Sequence, residues 1–375
     1  MSRQIPAVDP EGLLEYSVVF NDRSLNHMSK EFQGVMNDIS TTLKEVYQAE
    51  NVIVVPGGGS YGMEAVARQF ARDERAMVIR NGWFSYRWTQ IFEMGGIPAD
   101  SRVMKARRVS DEHQAPFVPA PIDEVVAAIH EYRPGVLFAP HVETSSGMIL
   151  PDDYLRQVAE AVHAVGGIFV LDCVASGNIW VDMKHIGVDV LISAPQKGWS
   201  ASPCAGLIML SGKGLERLEQ TTSDSFACDL KKWHNIMQAY EKGGHAYHAT
   251  MPTDALATFR DAMKETVAEG LDSVRESQWE LGIRVRELFG SKGFTSVAGE
   301  GYQAPGVVVL YTDDDGLHSG KSFIAEGMQT AAGVPLMCDE PENFKTFRIG
   351  LFGLDKLRNI PRTVDNLEQV LARME

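Results

Sequence analysis

The sequence predicts an α/β fold in which a mainly parallel sheet is sandwiched by helices and is followed by a smaller C-terminal α+β domain. Short β-rich runs alternate with amphipathic stretches through most of the chain. The β-rich runs lack a clean apolar–polar alternation, which is typical of strands buried on both faces of a parallel sheet. A chain of 375 residues is long enough for two or three domains.

Each element follows from its local pattern. The predicted strands are short apolar runs rich in branched residues, at 51–55, 76–79, 136–139, 168–171, 188–193 and 205–210. The helical patterns between them cover 63–72, 85–94, 122–132 and 152–165. The last of these helices is ended by Gly166 and Gly167.

The alternation of short strands and helices gives way to a different sequence pattern beyond about residue 250. A long helical stretch over 253–289 carries many charges and small residues, as expected for a connector between domains. Strands are predicted at 307–311 and 347–351, with helices around them. We therefore predict an N-terminal segment at 1–20, a large α/β domain at 21–255 and a small α+β domain at 256–375.

Composition excludes several classes of partner. The sequence has 35 Lys and Arg against 50 Asp and Glu, a formal net charge of −15, which disfavours nucleic acid and anionic membranes. Residues 1–11 have no apolar core typical of a signal peptide, and no apolar run is long enough to span a bilayer. The cysteines are far apart, as in a reduced, cytoplasmic protein (Cys173, Cys204, Cys228 and Cys338).

A glycine-rich run at 56–62, Pro-Gly-Gly-Gly-Ser-Tyr-Gly, follows a predicted strand and opens a predicted helix. Its spacing satisfies a dinucleotide motif, but such a site needs an acid at the end of the next strand, where the sequence is Ile-Arg-Asn. A second interpretation is a phosphate cup formed by the amides of Gly59, Ser60 and Tyr61 with the Ser60 hydroxyl. A third is a tight turn that needs small residues for packing.

The strongest chemical signal is a carboxylate and an amine on neighbouring strands. Asp172 ends the strand at 168–171, and Lys197 follows the strand at 188–193. Ligands of open α/β sheets bind at the carboxyl ends of the strands, so the two side chains are expected to face one crevice. Such a pair can hold a pyridine ring, with the carboxylate at the ring nitrogen and the amine on the aldehyde, although a plain ion pair is the alternative. HxxH at His245 and His248 lacks the features of a metal helix, so no metal site is expected.

Four motifs together resemble the class V pyridoxal-phosphate aminotransferases, most closely the alanine–glyoxylate and serine–pyruvate branch. They are the run Pro-Gly-Gly-Gly-Ser-Tyr-Gly-Met-Glu-Ala, then His-Val-Glu-Thr-Ser-Ser-Gly at 141–147, Leu-Asp-Cys-Val-Ala-Ser at 171–176 and Ser-Ala-Pro-Gln-Lys-Gly at 193–198. The resemblance extends from about Asn26 to the end of the chain. It implies a fold-type I pyridoxal-phosphate-dependent transferase with pyridoxal 5'-phosphate as cofactor.

The resemblance also implies roles for individual residues. Lys197 resembles the lysine that forms an imine with the cofactor, the internal aldimine, and Asp172 resembles the partner of the ring nitrogen. The phosphate would be bound by Gly59, Ser60, Tyr61 and Gln196. Phe84, in Asn-Gly-Trp-Phe at 81–84, aligns best with the residue that stacks on the ring, and Trp83 is its neighbour. Ser145 would place a hydroxyl near the phenolic oxygen of the ring, and Thr144 is one position away.

Two further motifs complete the site that the resemblance implies. Tyr-His-Ala-Thr-Met-Pro at 247–252 resembles a stretch whose Tyr247 and Thr250 reach the phosphate of the other subunit, so a homodimer with shared active sites is expected. Arg348, in Phe-Arg-Ile-Gly, resembles the arginine that grips the substrate carboxylate. The family's early Gly-Pro-rich loop, which helps to shape the substrate pocket, is missing here.

The implied reaction is transfer of an amino group from a small amino acid, of the alanine or serine type, to a 2-oxo acid such as glyoxylate or pyruvate. One alternative keeps the cofactor but makes the chain a lyase or a cysteine desulfurase, with Cys228 as the reactive thiol. Gln196 before Lys197, where those relatives carry a histidine, favours the aminotransferase. The other alternative is a binding module without catalytic activity.

Overall fold

A computed structural model describes residues 13–374 of the chain. Its helices are α1 Lys30–Tyr47, α2 Gly59–Phe70, α3 Trp83–Gly95, α4 Ile122–Tyr132, α5 Asp152–Ala164, α6 Met183–Ile186, α7 Gly212–Gln220, α8 Leu230–Glu241, α9 Thr253–Glu269, α10 Leu271–Ser291, α11 Asp315–Ser319, α12 Lys321–Ala325, α13 Leu354–Leu357 and α14 Ile360–Met374. Its strands are β1 Asn51–Pro56, β2 Arg75–Arg80, β3 Asp100–Lys105, β4 Arg107–Arg108, β5 Phe117–Val118, β6 Val136–Pro140, β7 Val142–Glu143, β8 Met148–Ile149, β9 Ile168–Asp172, β10 Val190–Ser193, β11 Ala205–Leu210, β12 Val307–Tyr311, β13 Ala331–Ala332 and β14 Thr346–Gly350.

A seven-stranded sheet in the order β1-β11-β10-β9-β6-β2-β3 forms the centre of the molecule. The strands from β10 to β3 pair in parallel, which confirms the predicted parallel sheet. Only β11 runs antiparallel to both of its neighbours, which the apolar pattern of that strand could not reveal. Because β1 is antiparallel to β11, it points the same way as the parallel strands, and its carboxyl end lies at the same edge of the sheet.

A second sheet of three antiparallel strands, β12-β14-β13, follows in the C-terminal part of the chain. Its apolar face packs with α10 and α14 in a core that includes Val274, Leu281, Val308 and Phe347. The predicted helix over 253–289 is instead two helices, α9 and α10. They are separated at Gly270, whose φ of 88° lies in the left-handed region that favours glycine.

The boundary near residue 255 stays a prediction, although the two parts of the helical stretch do pack differently. Leu256, Phe259 and Met263 of α9 belong to the core around the large sheet, whereas α10 belongs to the core around the small one. None of the helices within residues 13–374 is long and apolar enough to cross a membrane.

Candidate active site

A cavity of about 500 Å³ lies at the carboxyl edge of the large sheet and is closed on one side by the small sheet. Several of the predicted site residues line it together: Gly59, Ser60, Tyr61, Phe84, Asp172, Gln196, Lys197 and Arg348. The topology explains this convergence, since β1, β9 and β10 all end at this edge. The sheet therefore gathers residues that are far apart in sequence around one space.

The glycine-rich run forms the turn between β1 and the N-terminus of α2. Gly57 has a φ of 124°, which a residue with a side chain rarely adopts. The amides of Gly59 and Ser60 have no acceptor among the residues that the structure describes, so they are free for a ligand. The Tyr61 amide already donates to the carbonyl of Gly58, 3.0 Å away, inside the first turn, and its predicted contact with a phosphate stays a prediction.

Asp172 is a buried carboxylate at the end of β9. Its Oδ1 accepts a hydrogen bond from the amide of Val174 at 2.9 Å, and Oδ2 has no partner among residues 13–374. Burial raises the pKa of Asp172 to about 6, and the charge of Glu143 adds to the rise. A cationic N–H donor in the cavity would stabilise the ionised form of this carboxylate.

Lys197 lies four residues beyond the end of β10 and lines the same cavity as Asp172. Its Nζ is 4.9 Å from the centre of the Phe352 ring, and it forms no ion pair with a carboxylate of the described chain. Burial lowers the pKa of Lys197, and the nearby charge of Arg348 lowers it further. Both effects favour the neutral amine, which is the form that acts as nucleophile and base.

Arg348 stands on β14, the central strand of the small sheet. Its Nε donates to the carbonyl of Ala332 at 2.8 Å, which fixes the plane of the guanidinium group. The other nitrogens are not engaged by any acidic side chain between residues 13 and 374. A planar guanidinium with free donors on a cavity wall can bind a carboxylate through two hydrogen bonds.

Phe84 occupies the first turn of α3 and faces the cavity, as predicted, whereas Trp83 packs against Tyr86 outside it. The buried carboxylate of Glu143 holds this helix terminus. Its oxygens accept hydrogen bonds from the amides of Phe84 and Ser85, at 3.2 and 2.9 Å, and from the Ser85 hydroxyl at 2.7 Å. Negative charge at a helix N-terminus is stabilised by the helix dipole.

Ser145 does not line the cavity, so its predicted role near the cofactor ring stays a prediction. Ser145 is fully buried. Its hydroxyl donates a hydrogen bond to the Glu143 carboxylate at 2.7 Å and accepts one from the amide of Trp83 at 2.8 Å. Thr144, the preceding residue, lines the cavity instead. The two residues lie in the turn between β7 and β8, where consecutive side chains point in different directions.

Tyr247 and Thr250 do not line this cavity. The hydroxyls of the two residues are 3.2 Å apart on an exposed stretch, and the Tyr247 ring packs against His27. His141 and Cys228 are buried and are not among the residues that line the cavity. The Nδ1 of His141 is 2.7 Å from the Ser176 hydroxyl, and burial lowers the pKa of this histidine to about 4.

The sequence did not single out three residues of the site: Arg87, Glu143 and Phe352. Arg87 lies one helical turn after Phe84, and that spacing on a helix beginning at the sheet edge is a signal that could have found it. Phe352 follows Arg348 at a distance that places it on the same cavity wall. Glu143 gave no signal, because its role depends on contacts between segments that are distant in sequence.

Comparison with known proteins agrees with this geometry. The family model described as aminotransferase class-V matches residues 13–326. The chain is 27% identical to a 2-aminoethylphosphonate–pyruvate transaminase of Paraburkholderia phymatum, over 92% of this chain and 89% of the relative. It is 28% identical to the alanine–glyoxylate aminotransferase of Rattus norvegicus, over 71% of this chain and 63% of the relative.

A solved structure shares the fold. The alanine–glyoxylate aminotransferase of Nostoc sp. superposes with a TM-score of 0.77 at 24% identity, over 93% of this chain and 89% of that one. The family match covers more than half of the chain, and the cofactor that the family implies is pyridoxal phosphate. The chain therefore belongs to the class-V aminotransferases and is a pyridoxal-phosphate-dependent enzyme.

Proposed function

We propose that this enzyme transfers an amino group from a small amino acid, of the alanine or serine type, to a short 2-oxo acid such as glyoxylate or pyruvate, with Lys197 as the catalytic lysine. The observation that carries the proposal is the cavity itself. It brings Lys197, Asp172, Arg348 and the N-terminus of α2 around a single space of about 500 Å³. Relatives that are named as transaminases of pyruvate and glyoxylate support the acceptor class.

The described residues fit pyridoxal phosphate. The side-chain oxygen of Gln196 is buried on the cavity wall and has no hydrogen-bond partner among the described residues. The part of the cavity beside Gln196 is therefore suited to a polar ligand. The free amides of Gly59 and Ser60 suit a phosphate, and the unpartnered oxygen of Asp172 suits a ring N–H. Gly59 packs so closely against Val174 that a Cβ there would lie 2.8 Å from a side-chain carbon, so the turn leaves little room for a larger residue.

The bound cofactor supplies an electron sink for the bond that is broken at the amino acid α-carbon. Lys197 would hold the cofactor covalently and, as a free amine, would carry a proton to and from the α-carbon. The lowered pKa of Lys197 increases the neutral fraction of the amine, which is the form that accepts a proton. Asp172 would keep the ring nitrogen protonated, and Phe84 would stack on the ring. Thr144, which lines the cavity, would place a hydroxyl near the phenolic oxygen of the ring.

The walls around Arg348 favour a small, neutral substrate. Four charged side chains line the cavity among the described residues: Arg87, Asp172, Lys197 and Arg348. Next to Arg348 the wall is apolar, with Val307, Ala331 and Phe352. Arg348 can therefore bind one carboxylate, and the apolar wall beside it suits a small, uncharged side chain.

We further propose a homodimer with shared active sites, located in the cytoplasm. Tyr247 and Thr250 do not line the cavity of their own subunit, and their hydroxyls are in contact with each other at an exposed surface, which supports a role in the site of a second subunit. The described cysteines are all buried and unpaired, which supports a reducing compartment. The division into domains at 21–255 and 256–375 belongs to the same proposal.

The lyase or desulfurase alternative would need a reactive thiol that reaches the cavity. Cys228 is buried elsewhere, and burial raises its pKa, so this thiol is a poor nucleophile where the structure places it. A non-catalytic binding module would not need a buried lysine with a lowered pKa beside a free guanidinium. Both observations favour the aminotransferase.

A panel of amino donors and 2-oxo acids tests the proposal. Purified enzyme loaded with pyridoxal phosphate should convert alanine or serine with glyoxylate or pyruvate, and the amino group should appear on the acceptor. Aspartate, glutamate and 2-oxoglutarate should be poor substrates. Release of sulfide or ammonia without formation of a new amino acid would contradict transamination.

A further inference from the structure

Arg87 is a cation on the cavity wall to which the roles above assign nothing. It lies in α3, three residues after Phe84, so both side chains share one face of the helix. Its Nη1 donates to the Ser60 hydroxyl at 2.7 Å, and its guanidinium carbon is 5.2 Å from the centre of the Phe84 ring. No carboxylate within residues 13–374 forms an ion pair with it.

The position of Arg87 differs from that of the other cavity cations. The charge of Arg87 acts on Asp172, where it lowers the pKa, whereas the charge of Arg348 acts on Lys197. Arg87 contacts the first turn of α2, and Arg348 contacts β13 on the opposite, small-sheet side. The two guanidinium carbons are 5.2 Å (Arg87) and 5.8 Å (Arg348) from the centre of the Phe84 ring. The cavity thus has a cation at each end.

The end beside α2 needs more positive charge than a helix terminus provides. A phosphate monoester carries nearly two negative charges at pH 7, whereas a helix N-terminus is equivalent to about half a positive charge. The free amides of Gly59 and Ser60 donate hydrogen bonds but are neutral. Arg87 uses one of its five N–H donors on Ser60 and has others left for phosphate oxygens.

We propose that Arg87 is a ligand of the cofactor phosphate and supplies the positive charge of that end of the cavity. The inference rests on the proposed function, since it takes pyridoxal phosphate as the occupant. It adds a consequence of its own: α3 presents both the ring that stacks on the cofactor and the cation that binds its phosphate. The two contacts are therefore set together by the position of one helix.

The test compares binding of pyridoxal phosphate with binding of pyridoxal, which lacks the phosphate. The dissociation constants are measured by absorbance and by quenching of tryptophan fluorescence for the wild-type protein, R87Q and R87K. R87Q should weaken pyridoxal phosphate binding about 10- to 100-fold, the range for a lost charge-assisted hydrogen bond, and change pyridoxal binding less than about twofold. The dissociation constant of R87K for pyridoxal phosphate should lie between those of the wild-type protein and R87Q. R275Q, which removes an exposed cation on α10, is the matched control and should change neither constant.

Inorganic phosphate provides an arm that does not depend on the rest of the cofactor. It should raise the melting temperature of the cofactor-free wild-type protein and of R275Q, but not that of R87Q. The inference is overturned if R87Q weakens both ligands equally, which would indicate a general disturbance of the site, or if it weakens neither. A wild-type protein that binds neither aldehyde would contradict the proposed function, and the phosphate arm would still decide the role of Arg87.

Discussion

The guanidinium carbon of Arg348 lies 5.8 Å from the centre of the Phe84 ring. Arg348 lies on β14 of the small sheet, and Phe84 lies in the first turn of α3, which packs on the large sheet. This contact therefore joins the two parts of the molecule across the cavity. The group that we propose for the substrate carboxylate therefore faces the group that we propose for the cofactor ring. Substrate and cofactor sites are adjacent because the two sheets meet here.

Arg348 is expected to determine substrate affinity. R348A removes the free guanidinium donors and should raise the KM for the amino donor about 10- to 100-fold, as for loss of a charge-assisted pair. Binding of pyridoxal phosphate should change little, because Arg348 is at the other end of the cavity. R348K, which keeps the charge and loses the planar fork, should recover part of the affinity. An unchanged KM in steady-state kinetics would rule out this role.

Arg348 should also affect the pKa of Lys197. The positive charge of Arg348 lowers the pKa of Lys197, so R348Q should raise that pKa. Only the neutral amine reacts with an acylating reagent, so the pH profile of Lys197 labelling in the cofactor-free protein should move to higher pH. Labelling followed by peptide mass spectrometry measures the profile, and R275Q provides the unshifted control. A profile that stays in place, or moves to lower pH, would refute the coupling.

Asp172 is expected to act on the chemistry more than on binding. D172N keeps the shape and the hydrogen bond from Val174 but loses the charge that would hold the ring nitrogen protonated. We expect kcat to fall about 10²- to 10³-fold, the usual cost of losing one electrostatic contact in an active site. The protein should remain folded, and D172E should recover some activity. Rapid turnover by D172N would mean that another group protonates the ring.

Glu143 is a positioning residue, since it acts through the N-terminus of α3 and does not line the cavity. E143Q places an amide nitrogen against the donors of Ser85 and Ser145, which should cost about 1–3 kcal/mol of unfolding free energy. Displacement of Phe84 should also weaken pyridoxal phosphate binding and alter the circular dichroism of the bound cofactor. S40A, which removes a buried hydroxyl remote from the cavity, controls for stability loss alone. If E143Q and S40A left the cofactor signal equally intact, Glu143 would have only a structural role.

Subunit mixing tests the shared site. K197A lacks the catalytic amine, and Y247A lacks the hydroxyl that we assign to the other subunit, so each homodimer should be inactive or impaired. In a mixed dimer, one of the two sites would combine Lys197 of one subunit with Tyr247 of the other and would be complete. Equal mixing and refolding should therefore restore about a quarter of the wild-type activity. Mixtures no more active than the parents would place Tyr247 outside the site.

The sequence predicted best those features that depend on local pattern. Apolar runs marked the buried strands, and polar residues at their ends, such as Asp172 and Lys197, marked the cavity because parallel strands end at one edge. The direction of β11 could not be predicted, since a strand buried on both faces has the same composition in either direction. The break at Gly270 was hidden by helical patterns on both sides of a single glycine.

The directions of side chains within turns could not be predicted from the sequence either. Ser145 and Thr144 are adjacent hydroxyls, and which of them faces the cavity depends on Glu143, whose carboxylate draws Ser145 inward. Arg87 and Phe352 acquire their meaning only from contacts with Ser60 and Lys197, which come from other segments of the chain. Such roles follow from packing between elements, which local patterns do not encode.

The central claim is that Lys197 is the catalytic lysine of this cavity, and one measurement tests it most directly. The protein loaded with pyridoxal phosphate is reduced with borohydride, digested and examined by mass spectrometry. The account predicts that the reduced cofactor is attached to the peptide that contains Lys197, and that K197A retains none after reduction. Attachment to another lysine, or no attachment in a folded wild-type protein, would contradict it.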